Sequence, residues 1–100
     1  MNGLDWAVVQ ERLGGGVDVP TVAGGKTLRV VSVDAECIHV SHPLWRDTLE
    51  RRHLERAVEL VEAGRLSRGA GPFVEEYRAI VADVRATSVA HVLRYLGHLT

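Results

Sequence analysis

Three side chains able to bind a metal or to take part in nucleophilic catalysis occur within one short motif, Cys37-x-His39-x-x-His42. A thiolate and imidazoles are common zinc ligands, and Cys37 and His39 would share one face of an extended strand. Structural zinc sites combine paired motifs, so His53 would have to complete this one. Cys37 and His39 could also act as nucleophile and base, but the sequence shows neither an oxyanion hole nor an orienting acid. We interpret the motif as a partly exposed strand face and predict no cofactor and no catalytic residue, with metal binding by Cys37, His39 and His42 as the open alternative.

The segment Gly24-Gly-Lys-Thr27 ends like a phosphate-binding P-loop. Such a loop requires another glycine five positions before its last one, and a helix after the threonine. Position 20 is a proline, and the residues that follow Thr27 favour a strand. We therefore interpret these glycines as turn residues.

Four basic side chains occupy the C-terminal segment, in which no acidic residue follows Asp83; they are Arg85, His91, Arg94 and His98. The last two predicted helices could form a helix-turn-helix whose second member enters a DNA groove. The predicted break between them, at Ala86-Thr87, is shorter than the usual turn. The net charge of -1 also provides no broad cationic surface. Binding of DNA by these four residues is therefore the alternative function.

Side chains of the types enriched in protein interfaces form a second candidate set, Trp45, Arg94 and Tyr95. Trp45 lies in the predicted connection between sheet and helices, where it either covers the end of the core or anchors a partner. Because no catalytic constellation is readable, we predict a non-enzymatic protein–protein interaction or assembly module. It would bind another protein, or a second copy of itself, through these three residues.

Hydrophobic periodicity and turn residues predict the elements that position these side chains. The predicted elements are a helix over 4–13, strands over 17–22, 27–33 and 37–41, and helices over 47–63, 72–85 and 88–96. In the first helix Ala7, Val8 and Leu13 face the core, and in the third strand Ile38 and Val40 do. Pro20 suits an edge strand because it lacks a ladder donor.

Capping residues set the predicted ends of the last three helices. Asp47 and Glu50 cap the first of them, which ends before Gly64. Pro72 begins the next helix, with Ile80 and Val84 among its core side chains. Thr87 or Ser88 caps the last one, and Gly97 ends it. The resulting fold is α+β, with an N-terminal helix, a three-stranded antiparallel meander and three C-terminal helices packed on one face.

Composition limits the class of protein. One hundred residues with 46% hydrophobic side chains suit a single domain over 1–100 with one core. The lone Cys37 excludes an internal disulfide framework. No apolar run approaches the roughly 20 residues that a membrane helix needs, and the N-terminus lacks the pattern of a signal peptide. We therefore predict a cytoplasmic protein.

Three stretches of the sequence resemble small uncharacterised α+β domains of high-GC bacteria. They are residues 27–40, which read as a β-hairpin, the helical run 54–60 (LERAVEL) and the terminal helix 86–97 (ATSVAHVLRYLG). The likeness covers about residues 20 to 99 and rests mostly on core positions. It implies a shared bacterial fold and carries no activity.

Overall fold

The computed structural model describes residues 3–21, 25–42 and 44–100. Within them lie α1 (Trp6–Leu13), β1 (Val17–Pro20), β2 (Thr27–Val33), β3 (Cys37–His42), β4 (Trp45–Glu50), α2 (Arg51–Glu62), α3 (Ala70–Ile80) and α4 (Ala86–Tyr95). The predicted α+β class is confirmed, as is the order of one helix before the sheet and three after it. The strand number is corrected, because the described residues form four strands where the sequence predicts three.

The strands form an antiparallel meander in the order β1-β2-β3-β4, which places β1 and β4 at the edges. Successive side chains of a strand point to opposite faces of the sheet. The face towards the helices is buried and is lined by Val19, Leu28, Val30, Ile38, Val40 and Leu49. The outer face carries polar side chains such as Arg29, His39 and Thr48. The prediction that Ile38 and Val40 face the core is confirmed.

Residues 45–50 form β4, where the sequence predicts a helix start capped by Asp47. The whole strand pairs with β3, from Trp45 opposite His42 to Glu50 opposite Cys37. Leu49, which is 2% exposed, fills the core on this strand. The ladder and this burial outweigh a local capping signature, which is worth only about 1 kcal/mol. Helix α2 therefore begins at Arg51, with Glu50 at its N-cap and no side-chain capping bond.

The buried face of α1 is rotated from the predicted one. The buried side chains are Trp6, Val9 and Leu13, whereas Ala7 and Val8 are exposed. Trp6 fixes this orientation because its indole Nε1 donates a hydrogen bond to the Asp34 carbonyl, 2.8 Å away after β2. Only the prediction for Leu13 is correct.

Two helix ends follow the predicted glycines. Gly64 and Gly97 have φ angles of 76° and 94°, in the left-handed region that glycine adopts without steric cost. The Arg65 N–H donates to the Leu60 carbonyl, which closes the end of α2. Both predicted helix ends are confirmed.

The connection between α3 and α4 spans residues 81–85, not the predicted break at Ala86-Thr87. α3 begins at Ala70, before Pro72, and neither Thr87 nor Ser88 caps α4. The N-cap of α4 is Arg85, whose φ of 57° lies in the left-handed region. Because the break comes earlier, two predicted core side chains, Ile80 and Val84, are 52% and 46% exposed.

The first edge strand, β1, ends at Pro20, which confirms that this proline lies in an edge strand. The predicted strand runs on to Val22, but Thr21 lies outside β1, and Val22 lies outside the described residues, as do Ala23 and Gly24 of the predicted turn. Among the helices that the structure describes, none is both long enough and apolar enough to cross a membrane.

Candidate functional site

One of the two edges of the sheet is formed by β4, whose strand neighbour is β3. The Arg51 N–H donates to the Glu36 carbonyl at 2.8 Å, which makes these two residues a hydrogen-bonded pair. Such pairs alternate along an antiparallel ladder, so Leu49, Asp47 and Trp45 also direct their backbone groups towards β3. The intervening residues Arg46, Thr48 and Glu50 direct their N–H and C=O groups away from the sheet. We call these three residues the β4 edge.

The middle amide of the β4 edge is satisfied within the chain. The Asp47 Oδ1 atom accepts a hydrogen bond from the Thr48 N–H at 2.9 Å. The same carboxylate forms an ion pair with Arg85, which precedes α4. The hydrogen bond to Asp47 therefore occupies the outward N–H of Thr48 in the free chain. A backbone carbonyl of another chain could accept from this N–H in its place.

Side chains of opposite charge stand at the two ends of the β4 edge. Arg46, Thr48 and Glu50 all lie on the outer face of the sheet and are exposed. Glu50 also pairs with Arg52, whose Nε lies 2.9 Å from its carboxylate. Along the outer face of β4 the side chains are therefore positive at Arg46, neutral at Thr48 and negative at Glu50.

Exposed apolar side chains flank the β4 edge. Leu44 and Trp45, at the start of β4, are 87% and 42% exposed, and the indole stacks on His42 with ring centroids 5.2 Å apart. On the helix side, Val84 lines a shallow cleft together with Thr48 and Leu49. Ile80, the last residue of α3 and four residues before Val84, is also exposed. Apolar groups left in solvent around an unpaired strand are typical of a protein contact surface.

The structure does not bring together the predicted partner set of Trp45, Arg94 and Tyr95. Trp45 belongs to β4, whereas Arg94 and Tyr95 line a groove with Pro20 at the opposite edge of the sheet. The Tyr95 ring also lies under the Arg12 guanidinium, 5.3 Å from its centroid. Of the three, only Trp45 flanks the β4 edge.

The predicted nucleic-acid set is likewise divided. Arg85 is engaged by Asp47, while Arg94 is exposed nine residues later at the other end of α4. His91 and His98 are half-buried, and burial lowers the pKa of both imidazoles below the ordinary value. Neutral imidazoles add no positive charge at pH 7, so the four residues do not make one cationic surface.

The predicted ligand set of Cys37, His39 and His42 is split between the two faces of the sheet. Cys37 and His39 lie on the outer face, as expected, but His42 lies on the opposite face and stacks on Trp45. Across the part of the chain that the structure describes, no three His, Cys, Asp or Glu side chains form a group that could hold a metal ion.

The chemistry around Cys37 favours a resting thiol. Burial raises the pKa of the Cys37 thiol above its ordinary value, and nearby carboxylates raise it further. The His39 Nε2 atom lies 2.6 Å from an Asp34 carboxylate oxygen, so this ring is held by Asp34. This hydrogen bond, together with two from backbone N–H groups, lowers the pKa of Asp34. A protonated thiol beside an engaged imidazole lacks the thiolate that nucleophilic catalysis needs.

The sequence did not predict the β4 edge, for two reasons. Trp45, Asp47 and Leu49 would share one face of a strand, but the charged Asp47 interrupts its apolar pattern, and a helix-capping pattern overlaps the same residues. A readable signal was the pair of β-formers Trp45 and Thr48 beside a possible hairpin turn at Pro43-Leu44. The comparisons with known proteins add no further residues to this site. No protein-family model matches the sequence, and no curated protein or solved structure is significantly similar to it.

Proposed function

We propose that this chain is a non-enzymatic protein interaction module that binds a partner by strand addition at the β4 edge. The observation that carries the proposal is the combination of outward backbone groups at Arg46, Thr48 and Glu50 with exposed apolar side chains beside them. In strand addition, main-chain hydrogen bonds supply affinity, and flanking side chains supply specificity.

The surroundings of the edge suit a reversible contact. Trp45 offers a large aromatic surface at one end, and aromatic anchors dominate many interface energies. Val84 adds an apolar contact above the middle of the strand, beside Thr48. The Asp47 side chain occupies the Thr48 N–H in the free protein, which limits indiscriminate edge pairing.

The arrangement of titratable groups supports binding rather than turnover. Cys37 and His39 face away from the helices, and His42 faces towards them. Nucleophilic catalysis of acyl transfer requires a nucleophile, a base and an oxyanion donor that converge on one point. The single Cys37 provides no internal disulfide, which suits a reducing compartment, and we place the module in a bacterial cytoplasm.

A matched pair of valines tests the proposal. Val84 and Val31 are 46% and 48% exposed, but Val84 flanks the β4 edge whereas Val31 lies on β2, inside the sheet. Tagged wild type, Val84→Asp and Val31→Asp would each be used to capture proteins from the native extract, after circular dichroism has shown that all three fold.

The proposal expects a specific protein, or an untagged copy of the chain, to be captured by wild type and Val31→Asp and lost with Val84→Asp. Thr48→Pro should lose the same protein, because proline removes the outward donor of the strand. A captured protein that Val84→Asp and Thr48→Pro both retain would place the contact elsewhere and refute docking at the β4 edge.

A further inference from the structure

We propose that the occupant of the β4 edge is β4 of a second copy of this chain, paired antiparallel about a twofold axis at Thr48. This inference rests on the proposed function and names its partner. The two sheets would then continue into one another, with their outer faces on the same side. A contact of this kind is isologous, so the same strand supplies both halves.

Backbone geometry restricts the pairing. Only Arg46, Thr48 and Glu50 direct their N–H and C=O groups outward, so new ladder bonds join these residues in one copy to the same set in the other. Side chains of the set share the outer face in both copies. Centring the axis on Thr48 places Thr48 opposite Thr48 and Arg46 opposite Glu50 of the second copy.

Charge complementarity selects this register. Because the pairing is symmetric, it places Arg46 opposite Glu50 twice, once on each side of a Thr–Thr pair. Directly opposed charges of opposite sign stabilise an antiparallel pair, and like charges destabilise it. A shift in one direction would set Asp47 against Asp47 of the second copy. A shift in the other would set Thr48 against Glu50 and leave Arg46 beyond the end of the second copy's strand, without an opposite charge in the ladder.

The helix layer supplies an apolar contact near the same axis. Val84 lines a cleft with Thr48 and Leu49, so it stands close to the centre of the proposed ladder. The axis is perpendicular to the sheet, which brings Val84 of each copy towards Val84 of the other. Burial of these half-exposed side chains on both copies adds hydrophobic stabilisation to the backbone bonds.

Two contacts within the chain would exchange on pairing. The Thr48 N–H leaves the Asp47 carboxylate for the Thr48 carbonyl of the second copy, and Asp47 keeps its ion pair with Arg85. Glu50 exchanges Arg52 for Arg46 of the second copy. Since these two bonds replace existing ones and the other ladder bonds replace bonds to water, the net gain is small, and the dimer dissociates readily and depends on concentration.

A charge-swap mixing experiment tests the register. The Arg46→Glu variant alone would oppose two carboxylates at both charge pairs of the ladder, and the Glu50→Arg variant alone would oppose two guanidinium groups at both. A one-to-one mixture of the two variants can also form a mixed dimer, which joins one copy of each variant. In that mixed dimer the substituted acid of the first variant faces the substituted base of the second, and the unsubstituted Glu50 faces the unsubstituted Arg46, so both pairs are attractive.

Sedimentation velocity of wild type, each variant and the mixture measures the dimer fraction over a concentration series. We expect wild type to dimerise and each variant alone to dimerise roughly tenfold more weakly, because attraction becomes repulsion at both pairs. The mixture should dimerise about as tightly as wild type. Arg56→Glu, the same charge change at an exposed position of α2, should dimerise like wild type.

Two results would overturn the proposal: a wild-type chain that stays monomeric at every concentration, or a mixture that dimerises no better than its components. Failure of the dimer proposal can be distinguished from failure of the proposed function. A monomeric chain that loses a different bound protein on Val84→Asp keeps the β4 edge as a docking site and rejects only the second copy. A chain that stays monomeric, and whose captured protein is retained by both Val84→Asp and Thr48→Pro, rejects both.

Discussion

Arg85 forms an ion pair with Asp47 and so ties the start of α4 to the free edge of the sheet. Among the described residues, Arg85 is the one non-glycine with a positive φ, at 57°. The left-handed conformation costs a non-glycine residue about 1–2 kcal/mol, and the ion pair offsets part of that cost. This contact also holds Val84 beside Thr48 and Leu49, so it shapes the proposed docking surface.

Substitutions at Arg85 separate the ion pair from the backbone strain. Arg85→Ala loses the pair and keeps the strain, whereas Arg85→Gly loses both. We expect the free energy of unfolding of Arg85→Gly to exceed that of Arg85→Ala by about 1 kcal/mol. Urea denaturation of both variants and of wild type measures the difference. Equal stabilities, or a less stable glycine variant, would show that the left-handed backbone stores no strain here.

Cys37 should react slowly with alkylating reagents. Burial and nearby carboxylates raise the pKa of its thiol, so less thiolate is present at pH 7 to 8 than for an ordinary cysteine. Iodoacetamide labelling, followed by mass spectrometry against pH, should show a slow rate that rises only above the ordinary thiol pKa. Glutathione provides the reference rate. Labelling faster than glutathione at pH 7 would reveal an activated thiol and revive the nucleophile hypothesis.

Asp34 should contribute to acid sensitivity. The hydrogen bond with His39, and then those from the N–H groups of Glu36 and Cys37, lower the pKa of Asp34 in the folded state. The linked stability is therefore complete above the ordinary aspartate pKa of 3.8 and is lost as the pH falls through the lower folded value. Thermal unfolding of wild type should weaken more steeply below pH 4 than that of Asp34→Asn. Parallel pH profiles for the two proteins would contradict this prediction.

Duplex DNA should not bind through α4. Arg85 is paired with Asp47, the half-buried His91 and His98 carry lowered pKa values, and Arg94 alone adds little attraction. Fluorescence anisotropy at low salt should show no binding, or weak binding that Arg94→Ala leaves unchanged. Tight binding that falls steeply with salt, and is lost on combining Arg85→Ala with Arg94→Ala, would instead support the helix-turn-helix hypothesis.

Local signals in the sequence were sufficient to predict the elements that glycines end or that β-branched residues fill. Gly64 and Gly97 mark helix ends because the left-handed conformation favours glycine, and this preference is readable without tertiary contacts. Strands β2 and β3 follow from their β-branched residues, and the alternation of Ile38 and Val40 identifies the core face. The α+β class follows from these elements alone.

The candidate site was hidden because it depends on long-range pairing. β4 exists through its ladder with β3 and the burial of Leu49, neither of which a capping pattern around Asp47 reveals. The exposure of Val84 depends on the left-handed turn at Arg85, a residue type that seldom adopts it. The predicted set of Trp45, Arg94 and Tyr95 was chosen by residue type, and sequence spacing could not show that Trp45 lies at the opposite edge of the sheet from Arg94 and Tyr95.

Amide hydrogen exchange of β4, followed by NMR at increasing protein concentration, tests the central claim most directly. At high dilution the N–H groups of Asp47 and Leu49, which face β3, should exchange slowly, and those of Arg46 and Glu50 should exchange fast. On association, Arg46, Thr48 and Glu50 should become protected together, and this alternation should disappear. An assembled protein in which the amides of Arg46 and Glu50 still exchange fast would contradict strand pairing at the β4 edge.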